Sequence, residues 1–286
     1  MADVELSPAI AGSVRSSARV ALLAPPSTGR YRSLSATSFA IMLMMWIGLT
    51  GCGLWSPLVE PVFLPSPFRV AQTFVKLCRM GYQGETLGHH LLISLFRFAT
   101  AFMFCVLVGV PVGLAMGMSQ TIQALLDPPI EITRPIPKLA LLPLLIIWFG
   151  IGELAKIIVI VLALFPMMSI SAMQAVAAVS RRKIQAAYAL GADSWTVFRR
   201  VLLPASLPGI FTAIRVSLGI GVTMLVGAEM VATKDGIAWM ALSASDFLLT
   251  DVVLVAVLIM AALGYALDQM ARMVERRVVH WSGKES

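Results

Sequence analysis

The chain of 286 residues is 58% hydrophobic and only 13% charged. A soluble domain carries roughly 25% charged residues, so the composition excludes a soluble enzyme or binding module and gives a membrane protein. In such a chain the net charge of +7 reports topology instead of nucleic-acid binding, and three cysteines without CxxC or CxxH spacing imply neither a disulfide framework nor a zinc site.

Residues 1–32 are rich in Ala, Ser, Pro and Arg without a sustained period. They read as a flexible cytoplasmic tail, because the apolar run that follows is longer than a signal-peptide core. The charge-free stretch 33–59 gives the first transmembrane helix, about 35–56. Pro57, Pro61, Pro65 and Pro67 then forbid a continuous helix. Residues 60–87 form an extracytoplasmic segment in which "SPFRVAQTFVKLCRM" reads as a short amphipathic surface helix. A span of about 88–116 follows and contains Arg97. The next, about 122–150, opens on "DPPIEITRPIPK", with Pro128, Pro129, Pro135 and Pro137 among Asp127, Glu131, Arg134 and Lys138. Three more spans are expected at about 155–178, 206–231 and 248–271, before a basic tail over 273–286. Residues 88–272 are thus the five-helix core of an all-α polytopic membrane protein.

Lys and Arg set the orientation. The N-terminal tail, the 181–200 segment and the C-terminal stretch from Arg272 onward hold thirteen of the 22 basic residues. Six spans put all three segments on one side, and the positive-inside rule makes that side cytoplasmic. Both termini are then cytoplasmic.

The segment "RRKIQAAYALGADSWTVFRRVLLPASLPG", 181–209, interrupts the apolar chain. Its spacing predicts a helix over 181–190 capped by Ser180 and closed by Gly191 in the left-handed conformation. A second helix, 195–203, is expected to be capped by Asp193 or Ser194 and stopped by Pro204. Ser206 is then expected to cap the next span, with Pro208 in its first turn. Ile184, Ala187, Tyr188 and Gly191 share one face; so do Trp195, Phe198 and Leu202. Such a basic, amphipathic knob suits either the inner leaflet or a docking partner.

Within the spans, Arg97 reads as an anion ligand or, preferably, as an arginine paired with a carboxylate. Glu229 reads as a partner for Arg97 or Arg215, or as part of an outer gate. The proline-rich segment with Glu131 and Arg134 borders either the transport path or the interface between two copies, or else enters the span near the cytoplasmic headgroups. His89 and His90 lack a third metal ligand nearby, so no metal site is expected. Gly109, Gly113 and Gly117 form a four-residue ladder suited to close helix packing. No catalytic set is visible, neither a GxSxG elbow nor paired intramembrane aspartates.

The residues "QAAYALGADSWTVFRRVLLP" resemble the cytoplasmic signature loop of ABC-importer permeases, which reads E-A-A, three residues, G, nine residues, I, one residue, L-P. Gln185, Ala186, Ala187, Gly191, Val201, Leu203 and Pro204 hold those positions in register, with Gln185 in place of Glu and Val201 in place of Ile. "FLPSP" at 63–67, "HHLLISLFRF" at 89–98, the stretch 127–157 and "AEM" at 228–230 are similar to the taurine, alkanesulfonate, nitrate and bicarbonate branch.

The resemblance implies a type I importer transmembrane fold in the cell inner membrane and a path for a small oxyanion. It also implies a second permease copy as a homodimer, two cytoplasmic ATPases and an extracytoplasmic solute-binding protein. The 180–205 loop then couples the spans to the ATPases. No GxxxxGK[ST] phosphate loop is present, so ATP and Mg are expected on the partner ATPase and no cofactor on this chain. Other substrates of the same machinery are an aromatic acid, bicarbonate or a vitamin precursor. An ion-driven secondary carrier is the alternative of a different class, but repeated halves are not visible.

Overall fold

The computed structural model describes residues 28–51, 58–231 and 233–281. The predicted tail before residue 28, the end of the first span with Cys52, and the last residues of the chain lie outside them. Residues up to Pro61 and residues from Val62 onward form two compact units.

The first unit holds α1, Thr28–Thr50. It begins before the expected position and ends where Gly51 adopts φ +68°, a left-handed conformation that glycine adopts without a Cβ penalty.

Among its described residues the second unit consists of helices joined by turns and short loops, with one isolated bridge between Tyr82 and Glu85. Helix α2, Pro67–Met80, is the predicted surface helix, with the Ser66 hydroxyl accepting from Arg69 N. Helix α3 spans Leu87–Met118 and contains a π turn at Cys105–Gly109 just before Pro111. Helix α4, Gln120–Thr133, runs through Pro128 and Pro129. A 3-10 turn at Lys138–Leu141 leads into α5, Leu142–Phe149. Helix α6 is Glu153–Ala177 and α7 is Arg181–Ala189. Helix α8 is Ser194–Glu229, α9 is Ile237–Asp246 and α10 is Thr250–Val278.

Among the described residues, five helices are long and apolar enough to cross a membrane, or up to six if the bent pair α4–α5 counts as one span. That pair corrects the expected continuous third span: its two parts meet at 85°. Pro135 and Pro137 supply no N–H at the break. The freed carbonyls find another donor, because the Lys138 ammonium donates to the carbonyls of Thr133, Arg134 and Ile136.

Helix α6 is the centre of the bundle. Its buried Ile160, Leu164, Met168, Ala172 and Val176 recur every four residues. Helix α8 answers with Ala213, Ser217, Gly221 and Leu225 at the same spacing, a pattern that packs ridges of one helix into grooves of the other. Lipid offers helices no hydrophobic drive to associate, so close approach at small residues carries the packing. The glycine ladder shows this directly. A Cβ on Gly113 would land on the Ser169 carbonyl of α6, and one on Gly117 would sit 2.7 Å from Val176 Cβ. The π turn in α3 is tied to the same helix, because the Ser169 hydroxyl donates to Gly109 O at 3.1 Å.

Candidate functional site

Polar and exposed residues gather in two groups, one at each end of the bundle. The outer group centres on Arg97, fully buried on α3. Its Nε and Nη2 donate to the Glu153 carboxylate at the start of α6, and its Nη1 donates to Glu229 Oε1 at 3.0 Å near the end of α8. Nη1 also reaches Asp235 O at 3.0 Å, and Nη2 reaches the Asp235 carboxylate and Thr233 Oγ1. The guanidinium has five N–H donors in a fixed fork, and each of its three nitrogens donates here. Lys156 adds a second cation at 3.0 Å from Glu153.

The surrounding backbone is built to hold this group. Glu229 Oε2 accepts from Ala238 N at 3.0 Å, and Ser94 Oγ accepts from Ile237 N at 2.9 Å. Gly236 sits at φ +110°, and a Cβ there would fall on the Glu229 carboxylate. His90 is fully buried; its Nδ1 accepts from Gly236 N at 3.2 Å and its Nε2 lies 3.3 Å from Tyr82 O. Both contacts fit the neutral tautomer protonated at Nε2. Asp235 lies in the loop after α8. Burial pushes its carboxyl up, but the hydrogen bonds from Arg97 and Thr233 outweigh this and hold it below the usual range.

The structure therefore joins Arg97 to Glu229. Arg215 lies elsewhere, 3.1 Å from Asp268 and 3.4 Å from Glu275 on α10. Glu131 and Arg134 pair with each other at 2.9 Å, both about half exposed, at the end of α4. Their hydrogen bonds run to each other and not to the Arg97 group. Sequence reasoning missed Glu153, Asp235, Thr233 and Ser94 as partners of this group. The one available signal was their type: a carboxylate opening a span, and "TKDG" just beyond another.

At the opposite end, α7 and the start of α8 make the knob. Gly191 adopts φ +82°, with its N–H on Tyr188 O at 2.9 Å, and Ala192 N reaches Ala187 O at 3.1 Å. This is a glycine-closed helix end. Asp193 caps α8, accepting from Trp195 N at 3.2 Å and from Thr196 Oγ1. The Thr196 hydrogen bond holds the Asp193 carboxyl below the usual carboxylate range. Ser180 stands at the start of α7 without a side-chain cap.

The second helix of the knob departs from expectation. It does not stop at Pro204, and Ser206 does not cap a new span. A π turn at Phe198–Leu202 lets Leu203 N donate five residues back to Phe198 O, and the helix continues to Glu229. Ser206 Oγ instead donates to Leu203 O at 3.0 Å. The wide turn accommodates the proline without ending the helix. The knob is therefore the rigid lower end of a membrane span. Its Tyr188, Leu190 and Trp195 are exposed, Leu190 at 89%.

Comparison with known proteins agrees with this architecture. Residues 109–280 match the family described as "Binding-protein-dependent transport system inner membrane component". The chain is 41% identical over 256 residues to the taurine transport system permease protein TauC of Escherichia coli (strain K12), covering 89% of this chain and 92% of that one. It is 32% identical over 272 residues to the protein named "Putative aliphatic sulfonates transport permease protein SsuC" of Bacillus subtilis (strain 168), covering 95% and 96%. Among solved structures, the methionine ABC transporter MetNI in an inward-facing conformation shares the fold. The TM-score is 0.57 at 20% identity, over 67% of this chain and 95% of that one. The chain belongs to the inner membrane components of binding-protein-dependent transport systems, the permeases of ABC importers.

Proposed function

We propose that this permease forms the translocation path for a small sulfonate of the taurine and alkanesulfonate class. The observation that carries the reading is the 41% identity to a taurine permease over 92% of that protein's length. Two copies of the chain would form the path. A solute-binding protein would deliver the substrate, and two ATPases, which would hold ATP and Mg, would dock on the knob.

The geometry of the knob supports the coupling role of Gln185, Ala186, Ala187, Gly191, Val201, Leu203 and Pro204. Exposed Tyr188, Leu190 and Trp195 present apolar area beside Arg181 and Arg182, a surface suited to a groove on a soluble subunit. Because α8 is unbroken from Ser194 to Glu229, a push on the knob would be transmitted along one span to the Arg97 group.

Arg97 and Glu229 serve this reading as positioning residues of an outer gate. Each nitrogen of Arg97 already donates within the protein, so the guanidinium is not a free anion ligand. Glu131 and Arg134 remain candidates for the path or the interface between copies, since they flank the α4–α5 bend.

Uptake of labelled taurine by proteoliposomes carrying the full complex tests the proposal. Uptake is expected to require lumenal ATP and to survive ionophores. Uptake that ignores ATP and collapses with the ion gradient would establish an ion-driven carrier instead.

A further inference from the structure

We propose that α2 is an interfacial helix that binds acidic phospholipid at the end of the bundle opposite the 180–205 loop. Its surface divides into three sectors when its residues are placed at 3.6 per turn. Val70, Thr73 and Leu77 form a buried strip. Thr73 Oγ1 donates to Asp251 Oδ2 at 2.8 Å, which pins the helix against the start of α10 and fixes which way its other faces point.

The next sector is apolar and uncovered within this unit. Phe68, Phe74 and Val75 are 64%, 45% and 48% exposed. Beyond it come the cations. The helix carries Arg69, Lys76 and Arg79 and no acidic residue. Arg69 lies 3.7 Å from Asp251 and is partly neutralised, with exposed Met80 beside it. Lys76 and Arg79 are exposed and have no ion pair among the described residues.

An apolar sector flanked by cations is the arrangement of a helix lying in the headgroup plane, with aromatic side chains among the acyl chains and cations at the phosphates. Phe74 also borders an apolar lateral groove of about 590 Å³ that includes Cys78, Leu87, Leu91, Ile259 and Leu263. The groove extends the apolar sector sideways along α10, where an acyl chain can follow it. A soluble protein that docks and leaves would expose the phenyl rings to water between visits; a bilayer covers them continuously. This favours lipid over protein as the occupant, and it stands independently of the substrate reading.

The test uses the purified full-length chain in neutral detergent. Its thermal midpoint is followed while phosphatidylglycerol or phosphatidylcholine of the same acyl chains is titrated. A basic side chain near an anionic surface contributes about fivefold in affinity, so phosphatidylglycerol is expected to act at a concentration at least about fivefold lower. The double variant Lys76→Gln, Arg79→Gln is expected to abolish that preference while the lipid-free midpoint stays unchanged. Phe74→Ser is expected to weaken the response to both lipids alike.

Raising the salt on the unaltered protein gives an arm that needs no variant: the preference is expected to shrink as the phosphate contacts are screened. Equal responses to the two lipids overturn the proposal, as does a preference that persists in high salt or in the double variant. Loss of solute-binding-protein capture by the double variant with its lipid response intact also overturns it, because the sector would then be a protein dock.

Discussion

A guanidinium at membrane depth is costly unless it is paired, and Arg97 meets three carboxylates, those of Glu153, Glu229 and Asp235. Replacing Arg97 with Met leaves buried Glu229 without its cation. Breaking a buried pair from one side costs about 3–5 kcal/mol, so thermal unfolding in detergent should show a large loss for Arg97→Met. The pair Arg97→Met with Glu229→Leu should recover part of it, and a double variant no better than the single one would refute this account of the group. Asp235 gives a pH signature. Its folded-state carboxyl is held low, so its stabilisation is present above the ordinary carboxylate range and is lost as pH falls through the folded value. The thermal midpoint should therefore drop as pH falls below about 4, less steeply in Asp235→Asn; an identical slope in that variant would exclude the contribution. The pairing of Arg97 with Glu229 was legible because both stand inside apolar runs. Glu153 and Asp235 were not, since each sits at the edge of a span, where a charge is unremarkable.

Helix packing turns on a few positions. Gly113 lies against the backbone of α6, and any side chain there must push α3 away from Ser169. Gly113→Leu should destabilise by about 1–3 kcal/mol, the usual range for overpacking, whereas Gly219→Ala, which meets open space, should be nearly silent; equal thermal midpoints for the two would be inconsistent with the packing described. Gly191 presents the reverse case. Nothing within the chain lies near its missing Cβ, so Gly191→Trp should cost only about 1 kcal/mol from its positive φ yet reduce capture of the ATPase in a pull-down. Normal capture would remove Gly191 from the docking surface. The ladder, the Gly191 turn and the Asp193 cap could be read from residue spacing because each depends on local chemistry. The passage of α8 through Pro204 could not. It depends on a π turn at Phe198–Leu202, which no residue type in the stretch announces.

At the scale of the molecule, hydropathy located the five or six candidate spans among the described residues but not the bend. The 122–150 run is apolar enough to read as one helix, and only its prolines hint at the 85° break. The two described ends are linked by α6 and α8, which carry the bundle's central packing. In the proposed function these spans are driven by an ATPase docked on the knob and answer to a sulfonate delivered from outside. That function is tested most directly by measuring ATP hydrolysis by the assembled complex in nanodiscs, with solute-binding protein and a panel of taurine, an alkanesulfonate, nitrate and bicarbonate. The account predicts that hydrolysis rises several-fold with taurine or the alkanesulfonate, only when the binding protein is present, and that Gly191→Trp removes the rise. Hydrolysis that is indifferent to every member of the panel, or stimulated equally with the Gly191→Trp chain, would contradict it.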